Sequence, residues 1–258
     1  MEEELLKIKN LWSGYKETDI LKGINLVIKK GDFCGVVGPN GAGKTTLLKN
    51  ITRILPSRRG KIFLKGRDIA QINTRQLAQK IAVVPQFSVF WFSFTVRDFI
   101  LLGRIPYLPR FYLEKKEDYQ IVEEAMELTG TTDLRERRIG ELSGGERQKV
   151  VIARSLAQKP EFLLLDEPAS HLDIKHQLDI LNLIDKLNKE EGVTILMISH
   201  DLNLTSHYAS KLILMKEGMI FARGTPQEVI TEENIKKVYE IKVKINSDGK
   251  EKPVINLW

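Results

Sequence analysis

The chain is short of cysteine, of histidines at ligand spacing and of long apolar runs, and each shortage removes a class of protein. One cysteine, Cys34, stands among 258 residues, so no internal disulfide framework can form. Its place in an apolar, β-prone run points to inert packing. Of the four histidines, His171 and His176 are five apart and lack cysteine or acidic companions at zinc-ligand positions. The most apolar stretch, Phe87 to Val96, is about half the length that a membrane span needs. The opening Met1-Glu2-Glu3-Glu4 is acidic and does not read as a secretory signal. These absences lead to the expectation of a soluble, cytoplasmic protein. Internal repeats, low-complexity linkers and sustained heptads are absent too.

What is present suits one large α/β domain, with room for a small subdomain. The composition is 42% hydrophobic and 29% charged, enough to bury a core. The net charge of +6 comes from 40 basic and 34 acidic residues that are interspersed. That pattern fits a solvated surface better than a nucleic-acid or membrane patch.

The chain is organised around Gly38-Pro39-Asn40-Gly41-Ala42-Gly43-Lys44-Thr45-Thr46, a phosphate-binding loop of the form G-x-x-x-x-G-K-[ST]. A β-prone run, Phe33 to Val37, precedes it, and residues at helical spacing follow it through Ile51. Glycines let the backbone approach a phosphate and turn its N–H groups inward, and the following helix adds its positive dipole end. In such a loop Lys44 reaches the β- and γ-phosphates and the Thr45 hydroxyl holds Mg²⁺.

Ahead of the loop, Leu5 to Leu11 and Gly23 to Lys29 read as strands, with Gly14 to Asp19 as the turn between them. Tyr15 in that turn is placed either to stack on adenine or to pack at a strand end. Lys61 to Gly66 and Ile81 to Pro85 read as strands, the second ending at Gln86. Thr95 to Leu102 and Asp118 to Leu128 carry helical periodicity, so the span from Gln86 to Leu142 reads as a mainly helical subdomain. In Leu142-Ser143-Gly144-Gly145-Glu146-Arg147-Gln148, Ser143 is an N-cap candidate and Glu146, three residues on, completes a capping box. This second glycine loop opens a helix, which is either another anion-binding arrangement or a plain capped start.

Phe162 to Leu165 is a buried strand with Asp166 and Glu167 at its carboxyl end, where ligands bind in parallel α/β sheets. There Asp166 is placed to bind Mg²⁺ and Glu167 to polarise water for attack on a γ-phosphate. Ile174 to Asn188 reads as an amphipathic helix. Val193 to Ile198 is another buried strand, ending at Ser199-His200-Asp201, which favours a phosphate contact for His200. A hairpin around Glu217-Gly218, two short helical patches and a terminal hairpin around Ser247-Asp248-Gly249 complete the chain.

These motifs in this order resemble the ATP-binding subunit of ATP-binding-cassette (ABC) transporters, over nearly the whole chain. The carriers are GPNGAGKTT (Gly38 to Thr46), LSGGERQ (Leu142 to Gln148) and LLLDEP (Leu163 to Pro168). The resemblance implies a P-loop NTPase core with a mainly parallel sheet, an N-terminal antiparallel β subdomain and a helical subdomain. It places an ATPase domain over residues 1–240, with the helical part at about 87–142, and a C-terminal extension over 241–258. It also implies ATP and Mg²⁺ as cofactors. Asp166 becomes the magnesium aspartate, Glu167 the catalytic base, and Gln86 the glutamine that touches Mg²⁺ and water. His200 matches the switch histidine, Asp173 the aspartate that crosses between subunits, and Tyr15 the adenine-stacking aromatic. Ala169 stands where the family usually has threonine, which touches no catalytic role.

The family works as a head-to-tail dimer, each ATP lying between the phosphate loop of one subunit and the Ser143, Gly144, Gly145 loop of the other. A finer resemblance, carried by Thr95-Val96-Arg97-Asp98, by Leu102 to Tyr107, by Ser199 to Leu204 and by Thr231 to Asn234 with Val238-Tyr239, is to importers of iron chelates, haem and cobalamin. Its implied partners are transmembrane permease subunits and a periplasmic or lipid-anchored substrate-binding protein. The implied location is the cytoplasmic face of the membrane, with no nucleic acid as partner. A non-transport ABC ATPase acting on nucleic acid or ribosomes is the alternative. The span from Gln86 to Leu142 is too short for the coiled coil of a DNA-repair ATPase, and only one cassette is present. Val89, Phe90, Trp91 and Phe92 belong either to a groove that receives a permease helix or to the core between subdomains.

Overall fold

The computed structural model describes residues 3–86, 93–108, 114–246 and 252–256. In chain order the elements begin with β1 (Glu4–Tyr15), β2 (Thr18–Lys29), β3 (Phe33–Val37), α1 (Lys44–Ile51), β4 (Arg59–Leu64) and β5 (Arg67–Asp68). Then come α2 (Thr74–Ala78), β6 (Ile81–Val84), α3 (Val96–Leu101), α4 (Lys116–Thr129), α5 (Gly144–Ala157), β7 (Phe162–Asp166) and α6 (Ile174–Lys189). The chain closes with β8 (Thr194–Ile198), α7 (Leu202–Tyr208), β9 (Lys211–Lys216), β10 (Met219–Gly224), α8 (Pro226–Val229), α9 (Glu232–Tyr239), β11 (Lys244–Asn246) and β12 (Val254–Asn256). Two compact units share them: Met1–Ile72 with Thr194–Trp258, and Asn73–Val193. No helix among the described residues is long and apolar enough to cross a membrane.

The first unit contains an antiparallel sheet in the order β2-β1-β4-β5. Alternation builds it: Leu6 and Ile8 of β1 are buried with their partners Ile28 and Leu26, while Lys9 is exposed. Its first hairpin is tighter than the sequence suggests. Gly14 pairs with Asp19 and Tyr15 with Thr18, so only Lys16 and Glu17 make the reversal, Lys16 with φ of 49°. The ladder carries the turn-forming residues into the strands, because cross-strand hydrogen bonds outweigh local loop preference.

In the same unit β3 lies between β8 and β9, parallel to both, and β10 returns antiparallel along β9. Every residue of β3 and β8 is buried, as expected of central strands covered on both faces. Burial pushes the Cys34 thiol in β3 up to about 12, with Asp32 adding to the shift, which matches inert packing. At the C-terminus β11 and β12 pair antiparallel, Ile245 opposite Ile255. Asn203 of α7 grips that strand, donating to the Ile255 carbonyl at 3.1 Å and accepting from its N–H at 2.8 Å. The expected turn at Ser247 to Gly249 lies outside the described residues.

In the second unit β6 and β7 pair in parallel, and α3 and α4 pack on α5. A buried ion pair holds the helices together: Arg104 donates from Nε to Asp118 at 2.8 Å and from Nη1 to the Ala157 carbonyl at 2.8 Å. The guanidinium also lies 3.9 Å from the centre of the Tyr107 ring. Burial alone would raise the Asp118 carboxyl, and the Arg104 bond offsets it, leaving the group below the usual carboxylate range. The periodicity read over Thr95 to Leu102 resolves into α3 and a 3-10 helix over Leu102–Tyr107. Val89, Phe90, Trp91 and Phe92 lie outside the described residues.

Candidate functional site

In the first unit, β3 ends at Val37 and the glycine loop turns directly into α1. Gly38 has φ of +149°, and a Cβ there would overlap the Met215 carbonyl oxygen, so neither the backbone nor the space admits a side chain. Gly43 caps α1 with φ of 98° and no side-chain bond, and the first turn of α1 carries no acid. Lys44 is buried and folds back over the loop, its Nζ donating to the carbonyls of Gly38 at 2.6 Å and Pro39 at 3.0 Å. The ammonium is thereby held against carbonyls of the loop itself. The Ala42 carbonyl accepts from Gly218 N–H at 3.2 Å, so the β9–β10 turn braces the loop from outside. Sequence reasoning missed this brace, since it joins residues far apart in the chain. Thr45 is exposed on the first turn of α1 and Thr46 is buried.

Tyr15 sits at the end of β1 and is 45% exposed, which argues against simple core packing. Lys49 on α1 donates to its hydroxyl at 3.2 Å and stands 5.5 Å from its ring centre. His200 follows β8 and is exposed, at the same carboxyl edge as the phosphate loop, because β3 and β8 are parallel neighbours. Asp201 caps α7 by accepting from Leu204 N–H at 2.8 Å.

In the second unit, β7 delivers Asp166 and Glu167 to its carboxyl end, and β6 delivers Gln86 to the same edge. Gln86 Nε2 donates to Glu167 Oε2 at 2.7 Å. Glu167 has φ of 51°, a left-handed conformation for a residue that precedes proline, and its carbonyl accepts from both N–H and Oγ of Ser170. This backbone conformation is a feature that residue type alone does not signal.

The second glycine loop opens α5 as a closed capping box. Ser143 donates from N and from Oγ to Glu146 Oε2, both at 2.8 Å, and Glu146 N–H returns to Ser143 Oγ at 3.3 Å. The Ser143 N–H bond, then its hydroxyl bond, holds the Glu146 carboxyl below the usual carboxylate range. Gly144 and Gly145 form the first turn of α5. Asp173 is the N-cap of α6, with Oδ1 accepting from His176 N–H at 2.9 Å and Oδ2 2.7 Å from His176 Nδ1. Those two bonds, in that order, lower its pKa.

No cluster of three or more acidic, histidine or cysteine side chains able to hold a metal is present among the described residues.

Residues 21–170 match the model of the ABC transporter family. The iron(3+)-hydroxamate import ATP-binding protein FhuC of Bacillus subtilis is 41% identical over 250 residues, covering 96% of this chain and 93% of that protein. The uncharacterized ABC transporter ATP-binding protein YvrA of the same organism is 41% identical over 239 residues, and the match spans 92% of this chain but only 54% of that protein. Among solved structures, a chain of an inward-facing ABC transporter described as of metal-chelate type superposes with a TM-score of 0.85. It is 30% identical, and the match covers 98% of this chain and 96% of that one. With its phosphate loop, strand-end carboxylates and capped second glycine loop, the chain belongs to the ATP-binding, ATP-hydrolysing family of ABC transporter subunits.

Proposed function

We propose that this chain powers an importer of iron chelates of the siderophore, haem or cobalamin kind, as a pair of identical subunits beneath a transmembrane permease. The chelate class rests on likeness to an iron(3+)-hydroxamate import protein and to a metal-chelate type transporter. The cytoplasmic face of the membrane is the location this implies, with a substrate-binding protein on the far side.

For the chemistry, the carrying observation is the 2.7 Å bond from Gln86 to Glu167 at the end of a buried strand. It fixes the carboxylate at the strand end, where Glu167 would take a proton from the attacking water. Lys44 and the loop N–H groups bind the β- and γ-phosphates, Tyr15 meets the adenine, and His200 contacts the γ-phosphate. Thr45, Asp166 and Gln86 are the oxygen donors for Mg²⁺, which neutralises charge on the phosphates when bound. Ser143, Gly144, Gly145 and Asp173 serve the nucleotide of the second copy. The test is Glu167→Gln: ATP binding should persist while turnover falls by about a hundredfold or more. Turnover at the wild-type rate would remove Glu167 from the role of base. For the cargo, uptake of an iron-hydroxamate by vesicles containing the chain and its permease, with the substrate-binding protein on the opposite side, should require ATP in the compartment that the chain faces. ATP-independent or absent uptake would reject that cargo.

A further inference from the structure

His176 plays no part in the chemistry above, yet its ring sits where two of those elements meet. Both oxygens of Asp173 are engaged by this one residue, through the backbone N–H at 2.9 Å and Nδ1 at 2.7 Å. An ionised carboxylate only accepts, so Nδ1 carries the proton and the tautomer is set. The other edge of the ring covers Gly145. A Cβ at 145 would overlap His176 Cδ2 and lie 2.9 Å from Cγ and 3.2 Å from Nε2. Gly145 is not among the positive-φ residues, so its backbone would accept an alanine, and the three atoms nearest to such a Cβ all belong to the imidazole. Gly144 rests on the same segment, with a Cβ there 3.3 Å from Leu172 Cδ2. Glycine at 144 and 145 thus makes room for the turn formed by Leu172 to His176.

We propose that His176 is a positioning residue that locks the Ser143–Gly145 loop to the Asp173 turn, so that both are presented as one rigid piece. This rests on the reading that the loop and Asp173 serve ATP hydrolysis. The imidazole is the right shape for the task, being planar, two-sided and anchored at one nitrogen. Its removal leaves the Asp173 carboxylate held by the backbone N–H alone, with Oδ2 released, and opens space over Gly145, while the phosphate loop, which belongs to the other unit, keeps its own geometry.

The test compares ATP affinity with turnover in the full-length chain. His176→Ala should lower kcat by about tenfold or more, as expected when catalytic groups are misplaced by a fraction of an ångström to an ångström. Affinity for a non-hydrolysable ATP analogue, measured by calorimetry, should stay within about twofold, a change near the noise of a free energy of RT. His176→Asn places an amide donor close to the Nδ1 position and should recover most of the lost turnover. His176→Gln places its amide further out and should not, at matched melting temperature. Gly145→Ala should also cost less kcat on the His176→Ala background than on wild type, because the clash is gone. Wild-type kcat in His176→Ala overturns the proposal, as does Gln rescuing as well as Asn, or independent effects of the 145 and 176 changes. A wild-type chain without ATP hydrolysis overturns instead the reading on which the proposal rests. A hydrolysing wild type with an indifferent His176→Ala overturns only the role of His176.

Discussion

The two glycine loops look alike in sequence and differ in what they do with their own donors. At α1 no side chain caps the helix, no acid stands in the first turn, and a buried lysine is folded over the loop. At α5 the serine hydroxyl and N–H are spent on Glu146, and a carboxylate sits in the first turn. The helix dipole and exposed N–H groups favour an anion at either start. Only the first loop is arranged to capture a phosphate alone. At the second, an incoming phosphate competes with an internal carboxylate that already satisfies the cap. The difference teaches that a glycine loop before a helix is an anion site only when its cap is left to the ligand. It also fits the division of labour proposed here, with capture at Lys44 and a conditional contact at Ser143.

The largest effect that tests this contrast is on nucleotide affinity. Lys44→Ala should weaken ATP binding about tenfold to more than a hundredfold, the range expected for losing charge-assisted hydrogen bonds of ~1.5–3 kcal/mol. Ser143→Ala should leave the affinity of the single chain unchanged. Equal losses in calorimetric titrations of the two variants would break the comparison.

A smaller effect is on stability. Ser143→Ala removes both the acceptor for Glu146 N–H and a donor to its carboxylate, and should cost about 1 kcal/mol at neutral pH, as N-cap serines generally do. Denaturant unfolding measures it, and an unchanged midpoint would mean that the capping box contributes nothing.

The smallest effect is its pH dependence. The Glu146 carboxyl is held below its ordinary value, chiefly by Ser143 N–H, so the folded state binds its proton more weakly than the unfolded one. The capping contribution is therefore fully present above the ordinary carboxylate range and lost as pH falls through the lowered folded value. The stability gap between wild type and Ser143→Ala should shrink in that acid window. A gap that widens on acidification would show that Glu146 is not what the serine serves.

Much of this was legible in the sequence because it is local. The phosphate loop between β3 and α1, the box from Ser143 to Glu146, and Asp166 and Glu167 at the end of an apolar strand all depend on neighbours a few residues apart. The short helices α2 and α7 are not legible there, because five and seven residues carry too little periodicity to be read. Residue type alone makes the hairpin at Lys16 too wide, because pairing decides where a ladder stops. The sequence by itself determined which residues could meet a phosphate, a cation and a water, because those capacities reside in side-chain chemistry at fixed spacing. Tertiary structure alone decided that Gln86 holds Glu167 across 81 residues, that Gly218 braces Ala42, and that His176 fills the space over Gly145. Each of these contacts follows from which strands and helices lie side by side, and side-by-side placement is set by packing rather than by spacing along the chain.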